Sequence, residues 1–526
     1  MHRMTRMAGP GELRAPFDGA TYRYKDDEVT VSSDGEARWM ALRSGGTEHR
    51  YRVTRVIGGR YREDYAGVEP GAPSSDELIL PVSFVYATRT FRPKGYSVMS
   101  AERPGLRAGP AWNRTCVFCH NTVPLLSTAL GALRGPGAAG YQGEVVDALL
   151  PSSRRAPWRV VDEVGLRAAL EQEVRALGGA PAPADATLRA ALDGAIATTR
   201  DRLDGGKLIE LGIGCESCHG GSAEHAEDPS IPPSDVPVAP WLAVESSSGA
   251  PLSAAEATNR VCARCHQVLF SGYPYTWEGR ARRGDAAGPG GSHINSGEAR
   301  DFLLGPCSRA MACTACHDPH GEDAAEALAR LRTPAGNAVC TGCHRALAET
   351  PALAAHSKHR PGGEGAACLN CHMARKNVGL GYQLSGYHRI GSPTDPERVE
   401  KDRPLECALC HTRASTSELV GQMERLWGRR YDRQALERLY GDLGRPVLVA
   451  TLERGAPHEQ AAALGALAER GDAGALASML PALENHYPLI RSFARASIQR
   501  LAPACQVDVE QPVEQIRAAA RRCLPP

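Results

Sequence analysis

Seven copies of one pentapeptide, Cys-x-x-Cys-His, constrain this chain of 526 residues more than any other feature. They are Cys116–His120, Cys215–His219, Cys262–His266, Cys313–His317, Cys340–His344, Cys368–His372 and Cys407–His411. At the Cys and His frequencies of the chain, chance supplies on the order of 0.02 copies. Two thiols two residues apart, followed at once by an imidazole, are the attachment signature of a c-type haem. The thiols (Cys116, Cys119, Cys215, Cys218, Cys262, Cys265, Cys313, Cys316, Cys340, Cys343, Cys368, Cys371, Cys407 and Cys410) add across the haem vinyl groups. The adjacent His120, His219, His266, His317, His344, His372 and His411 are then the proximal iron ligands. Structural zinc competes poorly, because four-ligand sites use such pairs two by two. Here the number of pairs is odd, and each carries a His that a zinc ribbon does not need. Seven covalently bound haems are therefore expected.

Aromatic residues make up 5% of the chain, while Gly numbers 55 and Pro 38, so a conventional core would be thin. Six of the motifs crowd between Cys215 and His411, which leaves no room for a separate protein core around each. The porphyrins are expected to be the core there. The formal charge is +1, with no long basic run to suggest nucleic acid and no apolar run long enough for a transmembrane segment. Haem is attached outside the cytoplasm, and the cysteine content suits an oxidising compartment. The expected location is periplasmic or extracellular, with the export signal missing from this sequence, since the first residues have no apolar signal region.

The fold expected is multidomain. Residues 1–14 read as a flexible N-terminus and 15–104 as a small β domain. In the latter, Tyr22–Tyr24, Val29–Val31, Tyr51–Val53 and Leu78–Phe91 are rich in β-branched and aromatic residues, separated by Gly-containing turns. Residues 105–206 carry the first motif and a helical insertion, with helical patterns near 165–177 and 187–203. Residues 207–415 form a loop-rich, mainly α, six-haem cytochrome c core, with a short helix at each motif. Residues 416–526 read as an α-helical domain of HEAT-like repeats, on the stripe Leu476, Met479, Leu480, Leu483 and the prolines Pro446 and Pro488 at helix starts. Cys505 and Cys523 flank the last helical segment as a candidate disulfide, and Cys307 has no evident partner.

A second axial ligand on the far face of each iron gives the six-coordinate state used for electron transfer. Six further histidines lie in the haem segment and are the distal candidates: His225, His293, His320, His356, His359 and His388. His2, His49, His458 and His486 lie outside it and read as surface or capping residues. His225 and His320 follow their own proximal His too closely to reach round the macrocycle, so each is expected to serve a neighbouring iron. His356 and His359 are placed to serve two different irons. Seven irons against six candidates leave one five-coordinate, or bound by His49, Met373, a lysine or water.

Longer phrases extend the bare motif: Gly214-Cys-Glu-Ser-Cys-His-Gly-Gly-Ser-Ala-Glu-His225, Cys313-Thr-Ala-Cys-His-Asp-Pro-His320, His356-Ser-Lys-His359 before Cys368-Leu-Asn-Cys-His-Met373, and Tyr387-His388-Arg-Ile390. In these, residues 110–415 resemble the multihaem c-type cytochromes of the hydroxylamine-oxidoreductase-like, doubled-CxxCH superfamily. The flanks are similar, more loosely, to members with an N-terminal β module and C-terminal HEAT-like repeats. The resemblance implies distal-ligand roles for His225, His320, His359 and His388, and extends to His293 and His356. It does not carry nitrite reduction, because no CxxCK occurs. The function implied is electron transfer by an exported heptahaem cytochrome working with redox partner proteins, other cytochromes among them. The alternative is an oxidoreductase acting on a small nitrogen or sulfur compound at one five-coordinate haem, with its catalytic residues unassigned.

Overall fold

The computed structural model describes residues 7–59, 61–74, 76–94, 105–134, 158–234, 239–245, 249–266, 275, 297–321, 324–379 and 383–523. The chain divides into two compact units. One comprises Met1–Lys94, Arg103–Leu269 and Ser308–Cys313; the other comprises Gly95–Glu102, Phe270–Cys307 and Thr314–Pro526.

The first unit contains a nine-stranded antiparallel sheet. Its strands are β1 (Met7–Ala8), β2 (Thr21–Tyr24), β3 (Asp27–Asp34), β4 (Ala37–Ser44), β5 (Thr47–Gly58), β6 (Arg62–Val68), β7 (Leu78–Ile79), β8 (Val82–Val85) and β9 (Thr90–Pro93). They pair in the order β2-β3-β4-β5-β6-β8-β9, with β1 on β5 and β7 on β6. Tight turns need a positive φ, and Gly35 (57°) and the pair Gly45 and Gly46 (56° and 80°) supply it. The register sets Val31 opposite Met40 and Met40 opposite Tyr51, so alternate residues form one apolar face. Val29, Val31, Met40, Leu42, Tyr51, Val53 and Tyr65 are buried there.

Of the stretch 1–14 expected to be flexible, residues 7–14 are described, and they lie against the sheet. Met7 and Ala8 pair with Ile57 and Val56, and the backbone N–H groups of Arg14 and Ala15 donate to the carboxylate of buried Glu63. A carboxylate inside the sheet needs donors, and this segment supplies two of them. The run Leu78–Phe91 holds β7, β8 and the start of β9.

The helices of the insertion run Glu163–Ala176 and Leu188–Arg202, close to their predicted bounds. Each starts where a side chain caps it: Asp162 accepts from the Gly165 N–H, and Thr187 from that of Ala190. They pack with the helix Leu125–Arg134 through Leu126, Leu130, Leu166, Leu170 and Leu192, beside a two-stranded ribbon of β10 (Trp158–Val160) and β11 (Leu242–Val244). Trp112 and Val117 join this layer to the sheet through Ile57, Ala66, Leu177 and Leu203. Motif one therefore sits between sheet and insertion, and the insertion helps to hold it.

In the second unit, short helices and 3-10 turns surround motifs five to seven and the greater part of motif four. A hairpin of β12 (Arg375–Val378) and β13 (Leu384–Gly386) follows motif six. It packs on the helices Pro457–Glu469 and Pro488–Leu501 through Val378, Leu384, Ala461, Leu489 and Phe493. The approach is close enough that a Cβ on Gly465 would lie 2.7 Å from Leu384 Cγ.

From Thr416 onward the unit is helical. Ser415 begins Thr416–Trp427 with a reciprocal cap to Glu418, and Gly428 ends it at φ 65°. Pro446 and Pro488 stand at helix starts, as expected. The stripe Leu476–Leu483 is buried but is not one helix. It passes from an α turn, Leu476–Met479, to a 3-10 turn, Leu480–Glu484, because Pro481 has no N–H to continue the ladder. His458, expected at the surface, is only 1% exposed and lies inside the helical core. Cys505 and Cys523 form a disulfide with Cα atoms 4.9 Å apart.

Candidate haem attachment sites

Each motif is built on a single helical turn. In five of them the histidine N–H bonds the carbonyl of the first cysteine, at 2.9–3.1 Å: His120, His219, His266, His344 and His411. The i to i+4 spacing brings both thiols and the imidazole to one side. Motif six is a helix over Cys368–His372, and Cys313–Ala315 of motif four is a 3-10 turn. Several rings are held through Nδ1 by a backbone carbonyl. His219 bonds Ser234 O at 2.5 Å and His372 bonds Gly391 O at 3.0 Å. His225, His359 and His388 bond Ile231 O, Ser357 O and Gly386 O at 2.5, 2.6 and 2.9 Å. Such a bond fixes the tautomer with Nδ1–H donating and makes Nε2 the lone-pair nitrogen that a metal would take.

Within the second unit three proximal histidines each face another histidine. His317 and His388 have ring centroids 6.2 Å apart, His372 and His356 5.9 Å, and His411 and His359 6.1 Å. The interplanar angles are 20°, 12° and 33°. Rings in van der Waals contact would stack at about 3.5–4 Å. Two metal–imidazole bonds of about 2 Å, with about 1.1 Å from each nitrogen to its ring centre, put trans imidazoles about 6 Å apart. Rings in offset contact also lie about 4.5–7 Å apart, and the three separations are those that an iron atom between each pair would require. Burial also pulls the basicity of His372 and His411 down, and that of His120 to about 4, which favours the neutral ring a metal needs. Among the described residues no group of three or more His, Cys, Asp or Glu is arranged to hold a bare metal ion.

A family model described as "Doubled CXXCH motif" matches residues 305–349, the stretch holding motifs four and five. The match supports a multihaem c-type cytochrome. It supports covalently bound haem and, with it, electron transfer. No curated protein and no solved structure matches the chain.

The other candidates of this multihaem chain fall as follows. His356 and His359 face two different proximal histidines. His225 and His320 lie in described segments, whereas His293 and His2 lie outside the described residues. His49 sits on β5, where its Nδ1 lies 2.9 Å from the Glu69 carboxylate and its ring lies beside Tyr51. His486 lies against Tyr487, with centroids 4.0 Å apart.

Neighbouring motifs touch through sulfur. Thiol hydrogen bonds, not disulfides, join Cys119 to Cys265 and Cys262 to Cys313 in the first unit, and Cys340 to Cys368 in the second. Two asparagines stand at the second and third of these contacts. Asn259 Oδ1 accepts from the Cys313 N–H at 2.8 Å while its amide donates to Ser308 O and Met311 O. Asn337 Oδ1 accepts from the Cys368 N–H at 2.9 Å while its amide donates to Ala366 O. Both stand three residues before a motif, in Asn259-Arg-Val-Cys262 and Asn337-Ala-Val-Cys340. The expectations from sequence passed over them, although aligning the motifs on one another exposes the shared position. Beside motif seven lies a cavity of about 500 Å³ lined by Arg332, Arg375, Arg470, Glu364, Glu469 and Cys410. Burial, with a smaller contribution from the Arg375 charge, pulls Arg332 down to about 10.

Proposed function

We propose that this chain is an exported heptahaem c-type cytochrome that passes electrons between redox partner proteins along closely packed haems. The observation that carries this reading is the set of three imidazole pairs about 6 Å apart, each joining a CxxCH histidine to one outside the motifs. Bound haem supplies one-electron redox chemistry. The chain would supply the rest. Fourteen motif cysteines anchor the macrocycles, and the seven motif histidines ligate from one side. His388, His356 and His359 ligate motifs four, six and seven from the other side, His225 and His320 serve neighbouring irons, and His293 is the remaining distal candidate. At the three irons with paired imidazoles no position is left for substrate, which favours transfer over catalysis there.

The sulfur contacts held by Asn259 and Asn337 would keep successive porphyrins in contact, and the arginines beside Cys410 would face haem propionates. The C-terminal helices, HEAT-like in pattern, hold motif seven through Cys407 and Leu409 against their core and offer a surface for a partner. Covalent attachment places maturation, and so the work, in the periplasm or outside the cell.

The ferric holoprotein tests this by electron paramagnetic resonance and intact mass. We expect a mass exceeding the polypeptide by seven haems, and low-spin centres throughout. A high-spin centre that shifts when nitrite or hydroxylamine is added would overturn the electron-transfer reading in favour of catalysis.

A further inference from the structure

Behind motifs six and seven lies a buried ionic cluster that haem attachment does not use. Lys376, on β12 four residues after His372, is 1% exposed. Its Nζ lies 2.8 Å from Asp402 Oδ2 and 4.0 Å from Glu406 Oε1. Arg398 bonds the same Glu406 oxygen at 2.8 Å and lies over the Tyr387 ring. From the helical side, Arg403 and Glu459 approach as an ion pair at 3.0 Å, and Tyr440 donates to the Asp402 backbone carbonyl at 3.4 Å. Three cations thus meet three carboxylates. Yet two carboxylate oxygens, Asp402 Oδ1 and Glu406 Oε2, are buried without any hydrogen-bond partner. An orphaned carboxylate oxygen in such a place is costly unless it takes up something, and a proton is the ligand that fits without added volume. The cluster also adjoins the attachment sites: Glu406 precedes Cys407, and its charge reaches Cys371 and His372.

We propose that Asp402 is a proton-binding site coupled to electron transfer at motifs six and seven, taking one proton from solvent as one electron arrives there. The proposal rests on the haem reading above. The balance is simple. A one-electron donor, the redox partner or a chemical reductant, gives the electron to the iron, the proton goes to Asp402 Oδ1, and no bond between heavy atoms forms or breaks. An added negative charge beside the cluster raises its proton affinity, and by linkage a bound proton raises the reduction potential by the same free energy. The site is poised for this. Burial, opposed by Lys376 and reinforced by Glu459 and Glu406, lifts the Asp402 carboxyl to about 7, so it is half-occupied near neutral pH.

The test is spectroelectrochemical titration of the holoprotein between pH 5 and 9, after intact mass has established the haems. Wild type should show at least one component whose midpoint falls as pH rises through 7, approaching about 59 mV per tenfold change in proton concentration. Asp402→Asn should keep every haem and flatten that component, and Asp402→Glu should restore the slope. Should Asp402→Asn fail to fold, Glu459→Gln removes one negative neighbour and should move the inflection to lower pH. A pH-independent wild type, a slope that survives Asp402→Asn, or an inflection unmoved by Glu459→Gln would each overturn the proposal. A protein lacking the expected haems would instead overturn the haem reading and leave no potential to titrate.

Discussion

At the scale of single residues, the informative partners are far apart in sequence. His317 faces His388 across seventy-one positions, while His372 faces His356 and His411 faces His359 from the other direction along the chain. Each facing histidine supplies a ring that Met can replace as a ligand at the cost of a higher potential. His359→Met should therefore retain the full complement of haems by mass and raise the potential of one centre by on the order of 100 mV. His359→Ala should leave one iron open, giving a high-spin ferric signal and carbon monoxide binding on reduction. An unchanged low-spin spectrum in the alanine variant would show that His359 ligates nothing. Proximal histidines are legible in sequence because the helical turn that delivers them is five residues long. Their partners are legible as candidates only, since pairing depends on where separate loops meet. His458 shows the same limit from the other side, being placed in the core by the packing of whole helices.

At the scale of elements, the asparagine before a motif works as a clamp between two turns. Asn337→Ala would leave the Cys368 N–H and the Ala366 carbonyl unpaired in a buried position, costing about 1–3 kcal/mol. The holoprotein should melt earlier and lose the paired Soret circular-dichroism signal expected of touching porphyrins, while its haem count stays the same. Asn337→Asp keeps the acceptor for Cys368 and should lose less.

The insertion helices give a second prediction, through pH. Glu173, on the helix Glu163–Ala176, accepts from the Ser127 hydroxyl and backbone N–H, yet burial outweighs both bonds and lifts its carboxyl to about 7. The unfolded carboxyl titrates near about 4.3. Between these values the folded state holds a proton that the unfolded state has lost, so stability falls as pH rises through the window and the loss is complete above 7. Glu173→Gln removes that loss, and its melting temperature at pH 8 should exceed the wild type, by a free energy of at most roughly 4 kcal/mol. Equal melting curves at pH 8 would show that Glu173 ionises without penalty. The helices themselves were readable from apolar spacing and caps, but the burial of Glu173 arises from packing with Leu125–Arg134.

At the scale of the whole molecule, the five segments read along the sequence are distributed over two compact units. The β sheet, the insertion and motifs one to three belong to one unit, and motifs five to seven with the helical C-terminal region belong to the other. Composition changes at residues 104 and 415 mark where one kind of element gives way to another. They carry no record that Trp112 and Val117 weld motif one to the sheet, or that Leu384 meets Gly465. The position of the facing histidines relative to their motifs also has a consequence for assembly. His356 and His359 are made before the motifs they face, whereas His388 is made long after motif four. Were haem ligated as the chain emerges amino end first where attachment takes place, motifs six and seven would find a facing histidine already present, and motif four would be the one left waiting until the chain had passed Tyr387.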